Sequence, residues 1–304
     1  MSGAFLAVDW GTTQVRAWLV DAKGAAGAAR TFPLGVSRLG PGEAAARFQD
    51  TIRPALDAEG LPAVLCGMIG SNLGWVPVPY LDCPVGMAAF VGALHRVADT
   101  NPPAWIAPGL RGPGPTAAPD VMRGEETQVF GWLAQDPART RGTHLLCLPG
   151  THAKWVLVED GRIVRFVTAM TGELFDLLTH HGVLRTEAPA DDGPAFLQGV
   201  EAAGDGGGLA ARLFSARSRV VGGGAPAAET TSYLSGLLIG AEIAGAPALL
   251  GAPTAGPVAV IGEPALCDWY LKAFVHRGLA AMAYDGGAAA LSGLTALNAQ
   301  RNPR

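Results

Sequence analysis

Apolar positions along this 304-residue chain switch between two spacings, and the switching itself repeats. Short apolar runs at Phe5–Trp10, Val15–Asp21 and Ala28–Leu34 are joined through Gly11-Thr12-Thr13 and Lys23-Gly24. β-rich runs linked by tight glycine turns predict three antiparallel strands. Ala44, Ala45, Phe48, Ile52 and Leu56 then recur at helical spacing. A short strand at Ala63–Cys66 leads into a glycine-rich loop, Gly67–Trp75. The pattern next predicts a helix over Gly86–Ala98, a strand at Trp105–Ala107, a Pro- and Gly-rich loop from Pro108 to Pro119, and a helix from Gly124 that turns Val129, Phe130 and Leu133 inward.

The second half restarts the plan. Strands are predicted at Leu145–Leu148, Lys154–Val158 and Arg162–Val167, with Gly161 in the last turn. Helices follow at Thr171–His181, Glu229–Ala244, Glu263–Val275 and Gly287–Ala299, with strands at Pro257–Ile261 and Leu279–Ala283 between them. A β-meander followed by alternating helices and strands, twice over, indicates two α/β domains with a cleft between them. The polar stretch Gln135–Gly142, with Pro137 inside it, is the expected boundary, which divides the chain into 1–137 and 138–304.

The two meanders share more than their period. Asp9-Trp10-Gly11-Thr12-Thr13 runs on to Arg16 and Trp18, and Gly150-Thr151-His152 runs on to Lys154 and Trp155. Each is an apolar run, a Gly-Thr turn, a basic residue and a Trp, then a second apolar run. Glycine admits close approach of the backbone, and turn N–H groups with Thr hydroxyls supply donors for phosphate oxygens. Two such turns facing one another would hold a nucleotide's phosphate tail from both sides. Asp9 ends an otherwise apolar run, where an unpaired charge is costly to bury, so it is expected to face a cleft and hold Mg²⁺ through water.

Composition narrows this picture. Lysine occurs only at positions 23, 154 and 272, which sharpens interest in Lys154. A formal net charge of −4 gives no basic footprint for nucleic acid. Cys66, Cys83, Cys147 and Cys267 are widely spaced, with neither a zinc pattern nor a disulfide framework. The longest apolar stretch, Leu234–Leu250, is interrupted by Glu242 and Pro247 and reads as a buried helix rather than a membrane span. No leader pattern precedes the first strand, so the chain is expected to be cytoplasmic, with no membrane partner. The glycine-dense stretches Gly204–Gly208 and Gly222–Gly224 read as surface connections, since neither opens a strand–turn–helix unit and no P-loop pattern exists.

Arg123-Gly124-Glu125-Glu126-Thr127-Gln128 heads the helix that closes the first half. Two glutamates in a first turn suit the helix dipole. A carboxylate at a cleft edge can also accept a hydroxyl proton during phosphoryl transfer. Glu126 precedes Val129 and Phe130 by three and four positions, on the buried-facing side, and Glu125 precedes Val129 by four. Spacing leaves the choice between them open.

These residues resemble the 2-dehydro-3-deoxygalactonokinases. The resemblance is carried by Asp9–Thr13 with Arg16-Ala17-Trp18, Gly70-Ser71-Asn72-Leu73-Gly74-Trp75, Arg123–Gln128, Pro149–Trp155 and Met170-Thr171-Gly172-Glu173-Leu174, in order along nearly the whole chain. It implies membership of the superfamily of hexokinases, actin and heat-shock chaperone ATPases, with two actin-like (ribonuclease H-like) α/β domains and an ATP and substrate cleft between them. It further implies ATP- and Mg²⁺-dependent phosphorylation of the C6 hydroxyl of 2-dehydro-3-deoxy-D-galactonate, a small-molecule sugar acid, and leaves a homodimer open.

Carried onto this sequence, the resemblance makes Gly11, Thr12, Thr13 and Arg16 the first phosphate turn, with Asp9 near the metal. Gly150, Thr151, His152 and Lys154 form the second, and adenosine lies near Gly262. Glu126 or Glu125 is the base. Arg123 is expected to clasp the substrate carboxylate, or else to form a salt bridge with one of the glutamates. Ser71 and Asn72 would bond its hydroxyls, and Trp75 would be an apolar wall or ordinary core. Thr171 and Glu173 are a cap and a first-turn acid, or sugar contacts. The competing readings are a kinase of the same superfamily acting on another sugar or sugar acid, and a phosphohydrolase or an ATP-driven conformational module of the same fold.

Overall fold

The computed structural model describes residues 3–116, 118–204, 208–252 and 256–301. The chain forms two compact units. Unit 1 comprises Met1–Gly142, Val158–Arg165 and Gly286–Arg304; unit 2 comprises Thr143–Leu157 and Phe166–Asp285. This differs from a single cut after residue 137, because the last helix packs in unit 1 rather than with its sequence neighbours.

Unit 1 holds β1 (Phe5–Trp10), β2 (Val15–Val20), β3 (Arg30–Phe32), β4 (Ala63–Gly67), β5 (Leu81–Asp82), β6 (Val85–Gly86), β7 (His95–Arg96), β8 (Ala104–Ile106), β9 (Leu110–Pro113) and β10 (Pro119–Met122). Its helices are α1 (Glu43–Arg47), α2 (Arg53–Ala55), α3 (Met87–Gly92) and α4 (Glu125–Ala134). Its main sheet runs β3-β2-β1-β4-β8-β7, antiparallel across β3-β2-β1 and parallel across β1-β4-β8. Register sets Asp9 opposite Arg16 on one side and Cys66 on the other. The core beneath it gathers Leu6, Val8, Trp10, Phe48, Ile52 and Leu65.

Unit 2 is built on β11 (Thr143–Leu148), β12 (Ala153–Glu159), β13 (Arg162–Ala169), β14 (Val258–Gly262) and β15 (Ala281–Asp285), ordered β15-β14-β11-β12-β13. The tips of β12 and β13 count with unit 1, where Arg162 and Ile163 pair with β6. β11, β14 and β15 are mutually parallel. The order repeats that of β3-β2-β1-β4-β8, so both units have the same sheet plan. Its helices are α5 (Thr171–His180), α6 (Pro194–Ala202), α7 (Leu209–Leu213), α8 (Ser215–Val221), α9 (Thr230–Leu250) and α10 (Pro264–His276). The final helix, α11 (Gly286–Arg301), belongs to unit 1.

Each unit has one helix pair in backbone contact, and glycine permits it. A Cβ at Gly131 of α4 would lie 1.8 Å from the Ala289 carbonyl oxygen of α11, and one at Gly293 would lie 2.1 Å from that of Thr127. In unit 2, a Cβ at Gly236 of α9 would meet the Phe196 carbonyl oxygen of α6 at 1.9 Å. α9 contains the segment whose length and composition would suit a membrane span, yet most of it is buried in the protein.

Several elements depart from the predicted pattern. The strand expected over Ala28–Leu34 is only Arg30–Phe32. The helix through residues 44–56 is two short pieces with a π-turn, Phe48–Ile52, between them, where Arg53 is buried with its guanidinium over the Phe48 ring. The helix expected over Gly86–Ala98 ends at Gly92, because His95–Arg96 is taken up as the strand beside β8. The predicted loop Pro108–Pro119 contains β9 and the start of β10, whose pairing no local signal announces. The segment holding α6–α8 shows no clear helical period in the sequence, where glycine dilutes it, yet it forms three helices. α9 continues through Pro247 and ends at Gly251, in the left-handed conformation. Gly222–Gly224 is an exposed turn after α8, whereas residues 205–207 of the other glycine stretch lie outside the described residues.

Candidate active site

In unit 1 the β1–β2 turn is tied down by its acceptors. Gly11 N–H donates to the Gln14 carbonyl at 2.9 Å. The carbonyls of Gly11, Thr12 and Thr13 accept from the N–H groups of Val36, Ser37 and Gly35, at 3.2, 3.0 and 3.3 Å. Ser37 Oγ also donates to the Thr12 carbonyl, at 2.7 Å. Thr12 and Thr13 are exposed, and their own N–H and hydroxyl groups donate to no other described residue. A turn with its carbonyls satisfied from behind and its donors outward suits an anion.

Asp9 lies at the base of this turn. Its Oδ2 accepts from Arg16 Nη2 at 2.7 Å, and its Oδ1 faces the Cys66 thiol at 3.7 Å. Arg16, expected on a phosphate, is thus engaged with Asp9. Gly67 has φ +88°, and a Cβ there would come within 2.6 Å of the Trp10 carbonyl oxygen; a Cβ on Gly124, at φ +115°, would sit 3.2 Å from Gly67 Cα. These two glycines let the start of α4 approach the end of β1.

The glutamates that head α4 fold back over its first turn. Glu125 accepts the Arg123 N–H at 3.0 Å and is part-exposed. Both oxygens of Glu126 accept the Gly124 N–H at 2.8 Å, and its side chain is 0% exposed. Burial, and secondarily the Glu125 charge, pushes its carboxyl up to about 8, against the pull of the Gly124 N–H and the Arg123 charge. Asp9 and Glu126 both act on Cys66, whose thiol burial holds well above its ordinary range.

Arg123 is 9% exposed, its guanidinium 4.3 Å from the centre of the Tyr80 ring. Nη2 donates to the Val78 carbonyl at 2.7 Å, while Nε and Nη1 have no acceptor among the described residues. The guanidinium lies against Gly70, where a Cβ would stand 2.9 Å from Nη1. Ser71 closes the adjoining loop on itself, donating to the Met68 carbonyl at 2.7 Å and accepting the Leu73 N–H at 3.2 Å. Asn72 is exposed. Trp75 is half-buried, packed on the core with its ring 5.3 Å from that of Phe48.

In unit 2 the β11–β12 turn repeats the arrangement. The Thr151 carbonyl accepts the Glu173 N–H at 3.0 Å and that of His152 accepts Lys154 Nζ at 2.9 Å. Lys154 is 4% exposed, so it braces the turn from beneath. His152 pairs through Nε2 with Glu173. A Cβ at Gly172 would come within 2.5 Å of the Gly150 carbonyl oxygen, which shows how closely the N-terminus of α5 abuts the turn. Gly262 ends β14 against Pro149 and Cys267.

A cavity of about 660 Å³ opens beside this second turn. Gly150 and Thr151 form one end, and Ser235, Leu266, Trp269 and Tyr270 are among its other walls. Gly262 is not among its lining residues. α5, α9 and α10 supply nearly all of that wall, and the sequence pattern does not single out the α9 and α10 side chains: apolar positions on buried helices look alike whether or not a cavity lies against them. Local pattern gives Cys66, Gly67, Tyr80 and Glu242 no functional role either. The charge of Glu242 inside an apolar helix is a signal in the sequence, whereas the positive φ of Gly67 is visible only in the structure.

The repeated sheet plan, with a Gly-Thr turn between the first two strands of each unit, defines an actin-like α/β fold. At the level of fold alone, two solved structures agree. The activator of the 2-hydroxyisocaproyl-CoA dehydratase from Clostridium difficile, solved with bound ADPNP, is 12% identical with a TM-score of 0.50, covering 96% of this chain and 93% of its own. The (R)-2-hydroxyglutaryl-CoA dehydratase component A of Acidaminococcus fermentans is 13% identical, also at 0.50, covering 97% of both chains. The particular family follows from closer relatives. The model of the 2-keto-3-deoxy-galactonokinase family matches residues 9–297, and the chain belongs to that family. A probable 2-dehydro-3-deoxygalactonokinase of Rhizobium meliloti is 36% identical over 97% of this chain and 96% of its own length. The 2-dehydro-3-deoxygalactonokinase of Escherichia coli is 36% identical over 80% of each. A crystal structure from Sinorhizobium meliloti, named as a 2-dehydro-3-deoxygalactonokinase protein, has a TM-score of 0.87 at 36% identity, covering 96% of this chain and 97% of that one.

Proposed function

We propose that the protein is an ATP-dependent kinase that converts 2-dehydro-3-deoxy-D-galactonate to 2-dehydro-3-deoxy-6-phospho-D-galactonate, with release of ADP, in galactonate breakdown. The observation that carries this reading is the pair of Gly-Thr turns with satisfied carbonyls, in a chain that belongs to this kinase family over residues 9–297. The substrate's C6 oxygen bonds to the γ-phosphorus, the bond from that phosphorus to the ADP oxygen breaks, and the hydroxyl proton passes to a carboxylate. Such transfer depends chiefly on positioning and charge stabilisation.

Gly11, Thr12 and Thr13 in unit 1, with Gly150 and Thr151 in unit 2, are the phosphate donors in this reading. His152, Lys154 and Arg16 act by bracing those turns, which their pairing with Glu173, the His152 carbonyl and Asp9 supports. The donor set fits a magnesium ion, since a single carboxylate at the foot of a phosphate turn is the usual protein share of a Mg-nucleotide site. Asp9 would hold it through water, and the bound ion would neutralise charge on the phosphates. The cavity beside Gly150 takes the adenosine, its volume lying within the ~300–1,000 Å³ typical of small-molecule sites. Gly262 then serves as the backing of the turn through Pro149 rather than as a wall of that cavity.

Glu126 is the base in this reading, with Glu125 the alternative. Its position behind Gly124, near Asp9 across Cys66, and its raised pKa support the role. Arg123 takes the substrate carboxylate: two buried guanidinium nitrogens without acceptors among the described residues are costly unless a ligand supplies one. Ser71 shapes the adjoining loop, Asn72 supplies an exposed amide, and Trp75 backs them from the core. The test is ADP formation from Mg-ATP with 2-dehydro-3-deoxy-D-galactonate, with its gluconate-derived epimer, and with no sugar acid. ADP with the first alone is the expected result. Equal rates with both would remove the substrate assignment, and ADP without any acceptor would replace the kinase by a hydrolase or ATP-driven module.

A further inference from the structure

Glu242 lies near the middle of α9, a helix otherwise apolar around it, and is 6% exposed. A carboxylate in such surroundings is expensive unless donors surround it. Four do. Oε1 accepts from Trp155 Nε1 at 2.7 Å and faces the Cys147 thiol at 3.8 Å. Oε2 accepts from Tyr270 Oη at 2.8 Å and from Thr171 Oγ1. Burial pushes the carboxyl up, and these donors pull it back down.

The four donors come from four elements. Cys147 and Trp155 sit on β11 and β12, the strands joined by the second phosphate turn. Thr171 opens α5, whose next residue, Gly172, abuts the Gly150 carbonyl, and whose Glu173 N–H holds the Thr151 carbonyl. Tyr270, on α10, lines the cavity with Thr171. One carboxylate therefore sets the spacing between the strands carrying the turn, the helix end pressed against it and the far wall of the cavity beside it.

We propose that Glu242 is a positioning residue for nucleotide binding, fixing the Gly150–Thr151 turn and the cavity wall without touching the ligand. The inference rests on the reading of that turn and cavity as the ATP site. It makes a specific demand on chemistry. Trp155 can only donate, whereas the Thr171 and Tyr270 hydroxyls can turn to accept. In Glu242→Gln the amide oxygen keeps Trp155 and the NH₂ group meets the two hydroxyls, so the fold is retained while the Thr171 and Tyr270 side is reset.

The experiment is calorimetric titration of the full-length protein with Mg-ADP, alongside steady-state kinetics in ATP and in the sugar acid. For Glu242→Gln the expected result is a rise of about tenfold in both Kd for ADP and KM for ATP, a factor worth ~1.4 kcal/mol. KM for the sugar acid should stay within about twofold, the resolution needed to separate the two effects at ~0.4 kcal/mol. A residue that served stability alone would not split the two KM values. Wild-type ADP affinity in a cooperatively folded Glu242→Gln overturns the proposal and leaves the kinase reading intact. Absence of ADP binding and of sugar-dependent turnover in the wild-type protein overturns the kinase reading itself, and this inference with it. Should Glu242→Gln not fold, Trp155→Phe decides, because it removes a donor that lies outside the cavity lining; an unchanged ADP Kd then overturns the proposal.

Discussion

Glu126 sits where two demands meet: it is sealed from solvent, and a base must be ionised to accept a proton. Its carboxyl at about 8 means that the neutral form prevails in the free protein at neutral pH. If it is the base, kcat/KM should rise with pH and level off above about 8, since that parameter reports ionisation in the free enzyme. Glu126→Gln should lower kcat by ~10²–10⁴-fold, the usual scale for a general base. Glu125→Gln should cost much less, and single-turnover phosphoryl transfer measured for both variants checks the assignment. A reversal of the two results would hand the role to Glu125. Arg123 makes a separate prediction. Arg123→Ala removes the two buried nitrogens that have no acceptor among the described residues and the stack on Tyr80, so KM for the sugar acid should rise at least ~10-fold, the scale of a lost charge-assisted hydrogen bond. KM for ATP should hold, and a defect confined to ATP would remove the carboxylate clasp.

At the scale of elements, close backbone approach does the positioning, and it is sensitive to one methyl group. Gly131→Ala would drive a Cβ into the Ala289 carbonyl, and neither helix backbone can yield locally. α4 and α11 would have to separate, at a cost of ~1–3 kcal/mol or more by the scale of overpacked cores; urea unfolding of the variant measures it. Gly172→Ala acts on function instead. Its Cβ would press on the Gly150 carbonyl and on Thr151 Cα, 2.8 Å away, displacing the second phosphate turn. KM for ATP should increase with little change in KM for the sugar acid, and steady-state kinetics in each substrate distinguishes this from general loosening.

For the whole molecule, the raised carboxyl of Glu126 couples folding to pH. Its folded-state value of about 8 exceeds the ordinary 4.5, so the folded chain binds more protons than the unfolded chain between those values. The corresponding stability is fully present below pH ~4.5 and is lost as pH rises through ~8. Denaturant midpoints from pH 5 to 8.5 should therefore fall more steeply for the wild-type protein than for Glu126→Gln, which lacks the titrating group. Parallel curves would show that the carboxyl is not shifted upward.

The chain's own pattern was enough for the two-fold repetition of strands, the Gly-Thr turns, the helix that begins after Gly124 and the family. Those features are local: a period of two or near four, a glycine at a tight turn and a motif in order are all written in neighbouring residues. The placement of α11 was not legible, because contacts with α4 through Gly131 and Gly293 connect residues more than 150 positions apart. Nor was the pairing of β9 with β10, where proline and glycine read locally as loop. Side-chain partners were the least accessible of all. Arg16 next to Asp9, Lys154 beneath His152, Glu173 against His152 and Glu242 among its four donors are each set by where distant backbone places a charge. Sequence determined which groups could hold phosphate or a proton. Tertiary structure decided which of those groups are engaged elsewhere, because burial obliges each charge to find a partner across the fold.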